Sequence, residues 1–256
     1  MPQSEPDRAP GAATGLQCLH EDSHLLVLAK PTGLLCVPGR GPDKQDCLSR
    51  RAQAQWADAL VVHRLDQATS GLVLMARNPE AQRRLGLAFE LRQVHKRYLA
   101  VVAGALAQAP DGAWSTIDLP IAADWERRPL RTIDPHLGKP SQTRWRSLGY
   151  DAATDSSRVE LEPLTGRTHQ LRVHLAALGH PILGDPKYGD EKSRELSGVL
   201  KLQLHARSIL LPHPSAGMLH IEAPLSPEMK EGFRKFGFSE DEADAEPFAR
   251  RQTKRR

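Results

Sequence analysis

No stretch of this 256-residue chain is apolar for long enough to cross a membrane as a helix. Met1 to Thr14 carry Pro, Ser, Asp and Arg where a secretory leader would be hydrophobic, so a cytoplasmic address is the expectation. Cysteine is scarce. Cys18, Cys36 and Cys47 make an odd count without metal-type spacing, which argues against a disulfide framework and leaves each as a small buried hydrophobe. There is no Cys-x-x-Cys pair, no Gly-rich phosphate loop, no dinucleotide fingerprint and no internal repeat. His169 and His174 are five apart, which does not put them on one helical face. Structural histidines are the reading, and neither a metal nor a cofactor is expected.

What is present reads as a globular protein. Hydrophobic residues make up 39% and charged residues 26%, ordinary values for a packed domain. The net charge of +4 is a weak pointer to polyanions. Arginines cluster at Arg50-Arg51, Arg83-Arg84, Arg127-Arg128 and Arg144 to Arg146; such pairs are solvated faces or phosphate contacts. Residues 1–15 and 238–256 read as tails, the second ending in a basic run suited to non-specific attraction for phosphates.

Between the tails the pattern predicts strands at Leu25–Ala29, Ala59–Val62, Leu72–Ala76, Val94–Val102, Gln142–Leu148, Ser157–Leu164 and Met218–Glu222. In the sixth, Glu160 and Glu162 alternate with Val159 and Leu161, which predicts a half-buried strand. Leu202–Ala206 and Ile209–Leu211 read as a strand pair. Helices are expected over Asp43–Trp56, from the cap Asn78-Pro79 onward, over Arg167–Gly179, and from Ser226-Pro227 through Phe236. Asp118 to Thr143 reads as a Pro-punctuated basic stretch of little local order, and residues 190–199 as an exposed loop.

The chemistry concentrates in His63-Arg64-Leu65-Asp66-Gln67-Ala68-Thr69-Ser70-Gly71, between two apolar strands. A carboxylate at the rim of a sheet needs a cation or several donors. Asp66 is either one member of a structural ion pair or a nucleophile on a rigid strand end. Arg172 sits at the edge of the apolar face of its predicted helix, as a surface residue or as the partner of Asp66. Tyr98 alternates with Ala100 and Val102, the pattern of a core tyrosine. Lys30-Pro31-Thr32-Gly33 reads as a turn.

These residues resemble the RluA family of RNA pseudouridine synthases. The likeness rests on His63 to Gly71, on Lys96-Arg97-Tyr98-Leu99-Ala100, on Gly166-Arg167-Thr168-His169-Gln170-Leu171-Arg172-Val173-His174, and on Gly184-Asp185 with Tyr188-Gly189, in the family's order. The resemblance implies an α+β fold: a long, mostly antiparallel mixed sheet, bent along a central cleft, with flanking helices. The catalytic domain would span residues 16–237, with no S4-type module before it. In the family the Asp is the nucleophile, the Tyr stacks on the target base and the Arg pairs with the Asp. This implies catalytic roles for Asp66, Tyr98 and Arg172, with Tyr98 also a candidate to assist proton removal. Arg64, Thr69, Arg167 and Leu204 are the expected substrate contacts, and Lys30-Pro31-Thr32-Gly33 supports the loop from beneath.

The implied activity is isomerisation of uridine to pseudouridine by a cytoplasmic monomer. The short A-type members of the family modify both transfer and ribosomal RNA. The expected targets are therefore the anticodon arm of tRNA (uridine 32) and a 23S rRNA hairpin (uridine 746). A synthase for a different single site is the alternative, and a non-catalytic RNA-binding module a more distant one.

Overall fold

Strands β2 (Leu25–Lys30) and β4 (Ser70–Ala76) run antiparallel, pairing Leu25 with Ala76 and Lys30 with Gly71. They form the spine of a computed structural model that describes residues 15–106 and 112–240. Every residue of β4 is buried, because both faces of the sheet are covered at that point.

The remaining strands are β1 (Gln17–Glu21), β3 (Leu60–Val61), β5 (His95–Ala103), β6 (Ser115–Asp118), β7 (Ile121–Ala123), β8 (Arg131–Ile133), β9 (Gln142–Asp151), β10 (Ser156–Pro163), β11 (Leu204–Pro212) and β12 (Met218–Glu222). The helices are α1 (Leu48–Gln55), α2 (Pro79–Glu90), α3 (Gln170–Ala177), α4 (Glu191–Ser197) and α5 (Pro227–Lys235). Among the described residues, the main sheet runs β1-β2-β4-β11-β5-β10-β9-β6, with β3 added to β4 and β12 to β11. Among the paired strands of the described residues, β4–β11 alone is parallel. This is the mixed, mostly antiparallel α+β sheet expected from the sequence.

One face of the sheet, built from Val27, Leu72, Leu74, Ala100, Val159 and Leu161, receives Leu85 and Ala88 of α2 and Leu171 and Leu175 of α3. The opposite face is covered in two places. Leu48, Ala52 and Trp56 pack on Leu26, Leu28, Val73 and Met75. Met229, Phe233 and Phe236 pack on Leu99 and Val101. The caps at Asn78 and Ser226 form as expected, accepting from the amides of Ala81 and Met229.

Several expectations need correction. Strand β1 carries no clear apolar run and was not anticipated. The helix expected over Asp43–Trp56 starts only at Leu48; a short 3-10 turn at Pro42–Lys44 precedes it. The helix expected from Arg167 starts at Gln170, since His169 holds a left-handed backbone. Residues 190–199 contain α4, capped by the Asp190 carboxylate on the Ser193 amide. The strand pair at 202–211 is one strand with an irregularity between Ala206 and Ser208. Residues 118–143 hold a hairpin, β7–β8, rather than a disordered loop.

Cys36 and Cys47 are buried as expected, whereas Cys18 is only half-buried. Strand β10 does alternate, but its polar side is buried too. Glu160 meets Arg146 Nε at 2.7 Å and Glu162 meets Arg144 Nη1 at 2.7 Å, and both arginines lie against the Trp114 ring. The covering layer comes from other strands, which period-two alternation does not record. The two tails fall largely outside the described residues.

Candidate active site

The loop between β3 and β4 is held from below by a buried lysine. Lys30, 1% exposed, donates its ammonium hydrogens to the carbonyls of Pro31, Leu34 and Gln67 at 2.8–3.0 Å. Gly33 N adds a bond to Gln67 O, and the Thr32 hydroxyl one to Ala68 O. The Lys30-Pro31-Thr32-Gly33 turn is thus a support on which Asp66 rides.

His63 ties the other side. Its Nε2 accepts from the Leu74 amide at 2.9 Å, so that nitrogen is unprotonated, and its ring packs on Phe89 at 4.9 Å. Burial pushes its pKa down to about 3. At Gly71, φ is +105° and a Cβ would collide with the Ala206 backbone, so the parallel crossing of β4 and β11 admits only glycine. These contacts account for the His, Ser and Gly of the motif by structure alone, since Ser70 Oγ also meets His205 Nδ1 at 2.8 Å.

The imidazoles of His63, half-buried, and His205, buried, stay neutral in the folded state down to about pH 3 and 4, respectively, because desolvation and the nearby Lys96 and Arg207 charges disfavour their cations. In the unfolded chain they protonate near pH 6.5. The unfolded state therefore binds more protons within that window, and stability falls as pH is lowered through it. Calorimetry should show the melting temperature constant above pH 7 and declining steadily towards pH 4. A His63→Gln variant should show a shallower decline.

Asp66 stands at the rim of a cleft of about 1020 Å³. Arg172, only 2% exposed, approaches it from α3: Nη1 lies 3.3 Å from Asp66 Oδ2. The two are 106 positions apart in sequence. The main partner of Arg172, however, is Asp185. Nε and Nη2 form a fork on its carboxylate at 2.7 and 2.6 Å, and that side chain is fully buried. Sequence reasoning found the first partner and missed the second, whose signal was the Gly184-Asp185 turn.

Tyr98, 9% exposed, lines the cleft from β5, and Leu204 lines it from the neighbouring β11. Burial, with a smaller push from the Asp66 charge, raises the Tyr98 phenol well above its ordinary value. It stays protonated at neutral pH, which disfavours the phenolate needed for proton removal. Thr69 is buried beneath the loop, its amide closing the turn on Asp66 O at 3.1 Å. Arg64 and Arg167 line the same cleft with exposed side chains. All seven residues singled out from the sequence therefore meet at one cleft.

His169 also meets them, against its reading as a structural histidine: its Nε2 is 3.9 Å from Asp66 Oδ2. His174 does behave as one, its two nitrogens meeting Thr143 Oγ1 at 2.9 Å and Leu119 O at 3.0 Å.

Six of the residues lining the cleft are cationic, namely Arg64, Lys96, Arg167, Arg172, Lys187 and Lys201, and Asp66 is the single carboxylate. Such a cleft suits a polyanion and spares one ionised acid for chemistry.

A model of the RNA pseudouridylate synthase family matches residues 24–177, which include Asp66, Tyr98 and Arg172. The chain belongs to the RluA family of RNA pseudouridine synthases. It is 43% identical over 202 residues to the dual-specificity RNA pseudouridine synthase RluA of Escherichia coli K12, covering 79% of this chain and 89% of the relative. The Yersinia pestis protein of the same name is 43% identical over 199 residues, covering 78% and 93%. Among solved structures, the human RNA pseudouridylate synthase domain containing 1 superposes with a TM-score of 0.69 at 29% identity, over 87% of this chain and 89% of that one. Human RNA pseudouridylate synthase domain containing 4 gives 0.67 at 26%, over 86% and 92%. As a member of this family the protein is an isomerase that converts uridine in RNA to pseudouridine.

One cluster away from the synthase cleft has metal-ligand composition: Asp22, His24 and His213. Its hydrogen bonding argues against a metal. His213 Nδ1 accepts from the amides of Ser215 and Ala216, so the proton is on Nε2, which donates to Asp22 Oδ2 at 2.9 Å. A ligating Nε2 would require the opposite tautomer. The cluster is a strap between two turns. No helix among the described residues is long and apolar enough to cross a membrane.

Proposed function

We propose that this synthase acts on two stem-loops, the anticodon arm of tRNA and a hairpin of 23S rRNA, at uridine 32 and uridine 746 respectively. In this reading the Asp66 carboxylate attacks the ribose as nucleophile. An Asp66–C1′ bond forms as N1–C1′ breaks, the uracil turns, C5 displaces the carboxylate as C5–C1′ forms, and the C5 proton is lost to solvent while N1 takes one up. Arg172 aims Asp66, its Nη1 lying 3.3 Å from Oδ2. Tyr98 offers a ring face to the uracil with Leu204 beside it. Arg64 and Arg167, exposed on the cleft wall, take phosphates or the displaced base, whereas Thr69, only 2% exposed, serves the loop instead of the substrate contact expected of it. The observation that carries the proposal is the cleft itself, with six cations around one carboxylate gripped by a buried arginine.

A uridine must leave its stack to reach that carboxylate. This costs a few kcal/mol in a duplex and least in a loop, which favours hairpin targets. The names of the two bacterial relatives, with 43% identity over most of both chains, support dual specificity. The test is tritium release from [5-³H]uridine in an anticodon stem-loop and in a 23S hairpin. Release from both is expected. Release from one alone would favour a single-site enzyme, and silence on both would end the proposal.

Trp125 supports the loop-binding part of this reading. It is 71% exposed, with the Arg128 guanidinium 3.6 Å from its ring centroid, in the β7–β8 hairpin whose Pro129 lines the cleft. An exposed indole backed by a cation is a stacking surface for an unpaired base. Trp125→Ala should raise KM for the stem-loop about tenfold, from the ~1–3 kcal/mol worth of one stacked base, and leave kcat near that of the parent. Steady-state kinetics on a short hairpin measure both.

A further inference from the structure

His169 occupies the N-cap of α3 without capping it. It is the residue before α3, with φ +58° and ψ 15°. That left-handed backbone is uncommon outside glycine, although Asn, Asp and His adopt it more readily than other side chains. It is also the N-cap, where Asn, Asp and Ser are favoured because their side chains accept from the helix amides; the His169 side chain accepts from none of them. The imidazole is used elsewhere.

Its surroundings define its protonation. Tyr188 OH lies 2.7 Å from His169 Nδ1. The same oxygen accepts from the Arg131 amide of β8 at 2.9 Å. Burial raises the Tyr188 phenol, so it keeps its proton. With one lone pair engaged by Arg131 N–H, the phenol hydrogen is free to be given to Nδ1. The remaining proton of the neutral ring is then on Nε2, the atom 3.9 Å from Asp66 Oδ2. The opposite tautomer would aim a lone pair at the carboxylate and leave the phenol hydrogen without this acceptor.

Arg172 Nη1 reaches the same Asp66 oxygen, at 3.3 Å. Both donors therefore converge on Oδ2, and no protein donor among the described residues is found on Oδ1. We propose that the Tyr188–His169 pair is a positioning device for Asp66: with Arg172 it holds Oδ2, and so presents Oδ1 as the atom that attacks the ribose. At 3.9 Å the contact is long, as catalytic contacts commonly are before substrate binds. Because Tyr188 is fixed by β8, the device also links the β7–β8 hairpin to the nucleophile. This inference rests on Asp66 being the nucleophile.

The groups facing His169 are Asp66 and Asp185, which favour its cation, and Arg172 and Lys187, which oppose it; desolvation opposes it most strongly. The ring is neutral at physiological pH. Without the Tyr188 hydrogen, Nδ1 is open to a second proton, and the imidazolium would pair with Asp66 and quench it.

Two variants test this. His169→Asn places a residue that also tolerates the left-handed backbone and is better suited to the N-cap. Its melting temperature should equal or exceed that of the parent, while kcat falls ten- to a hundredfold, the cost of a misplaced reacting group, with KM near unchanged. Tyr188→Phe should move the acid limb of the kcat profile to higher pH, and the double variant His169→Asn/Tyr188→Phe should lose that shift. The proposal is overturned if His169→Asn keeps parental kcat. It is equally overturned if activity declines only in step with the folded fraction, or if the acid limb of Tyr188→Phe stays in place. An inactive Asp66→Asn alongside a fully active His169→Asn would discard the positioning device and leave the nucleophile untouched. An active Asp66→Asn would discard both.

Discussion

Asp66→Asn should abolish pseudouridine formation, with kcat lower by on the order of 10⁴-fold or more, while the protein folds as before. The amide is nearly isosteric with the carboxylate but carries no negative charge and is a far weaker nucleophile, and losses of this size or larger follow removal of a nucleophile in enzymes. Folding should be spared because the side chain of Asp66 is 25% exposed and its strongest neighbour, Arg172, keeps the two bonds to Asp185. RNA affinity should change little, since the cationic lining is intact. The measurements are tritium release, thermal melting and filter binding of a stem-loop on the same preparation. Parental turnover in this variant would refute the assignment of Asp66.

Arg172→Met should fail differently, losing activity and stability together. Arg172 neutralises two carboxylates, and that of Asp185 is wholly buried. Without the guanidinium, Asp185 keeps only the amides of Lys187 at 2.8 Å and Tyr188 at 3.3 Å. Stripping one partner from a buried ion pair costs about 3–5 kcal/mol. Chemical denaturation should register a loss of that order. Replacing both members, as in Arg172→Met/Asp185→Leu, removes the stranded charge and should recover much of the stability, because apolar substitutes for buried pairs are often neutral. The double variant should nevertheless stay inactive, since Asp66 still lacks its cation. Recovery of activity along with stability would mean that Arg172 serves only the fold.

Together these variants separate two jobs that one arginine performs. The Asp185 fork fixes the guanidinium in a single rotamer, and the third nitrogen is thereby aimed at Asp66. A lysine could carry the charge but not the fork.

Much of this was legible in the chain. Runs such as Leu25–Lys30 and Ser70–Ala76 declare buried strands through composition alone, and Asn78-Pro79 and Ser226-Pro227 declare helix starts, because capping is a local interaction. Asp66, Tyr98 and Arg172 could be named because short motifs surround them. The failures share one cause. Glu160 and Glu162 read as solvent-facing because the arginines and the tryptophan that cover them lie on other strands. His169 read as structural because its partners, Tyr188 and Asp66, are 19 and 103 positions away.

The sequence by itself determined the long buried strands, the helix caps, the family and the candidate nucleophile Asp66, since each depends on residues close together in the chain. Only the tertiary structure decided which oxygen of Asp66 is held, that Arg172 answers to two acids, and that His169 faces Asp66. Those properties are distances between atoms on β4, α3 and the turns around them. No local pattern encodes a distance that the folding of the intervening chain creates.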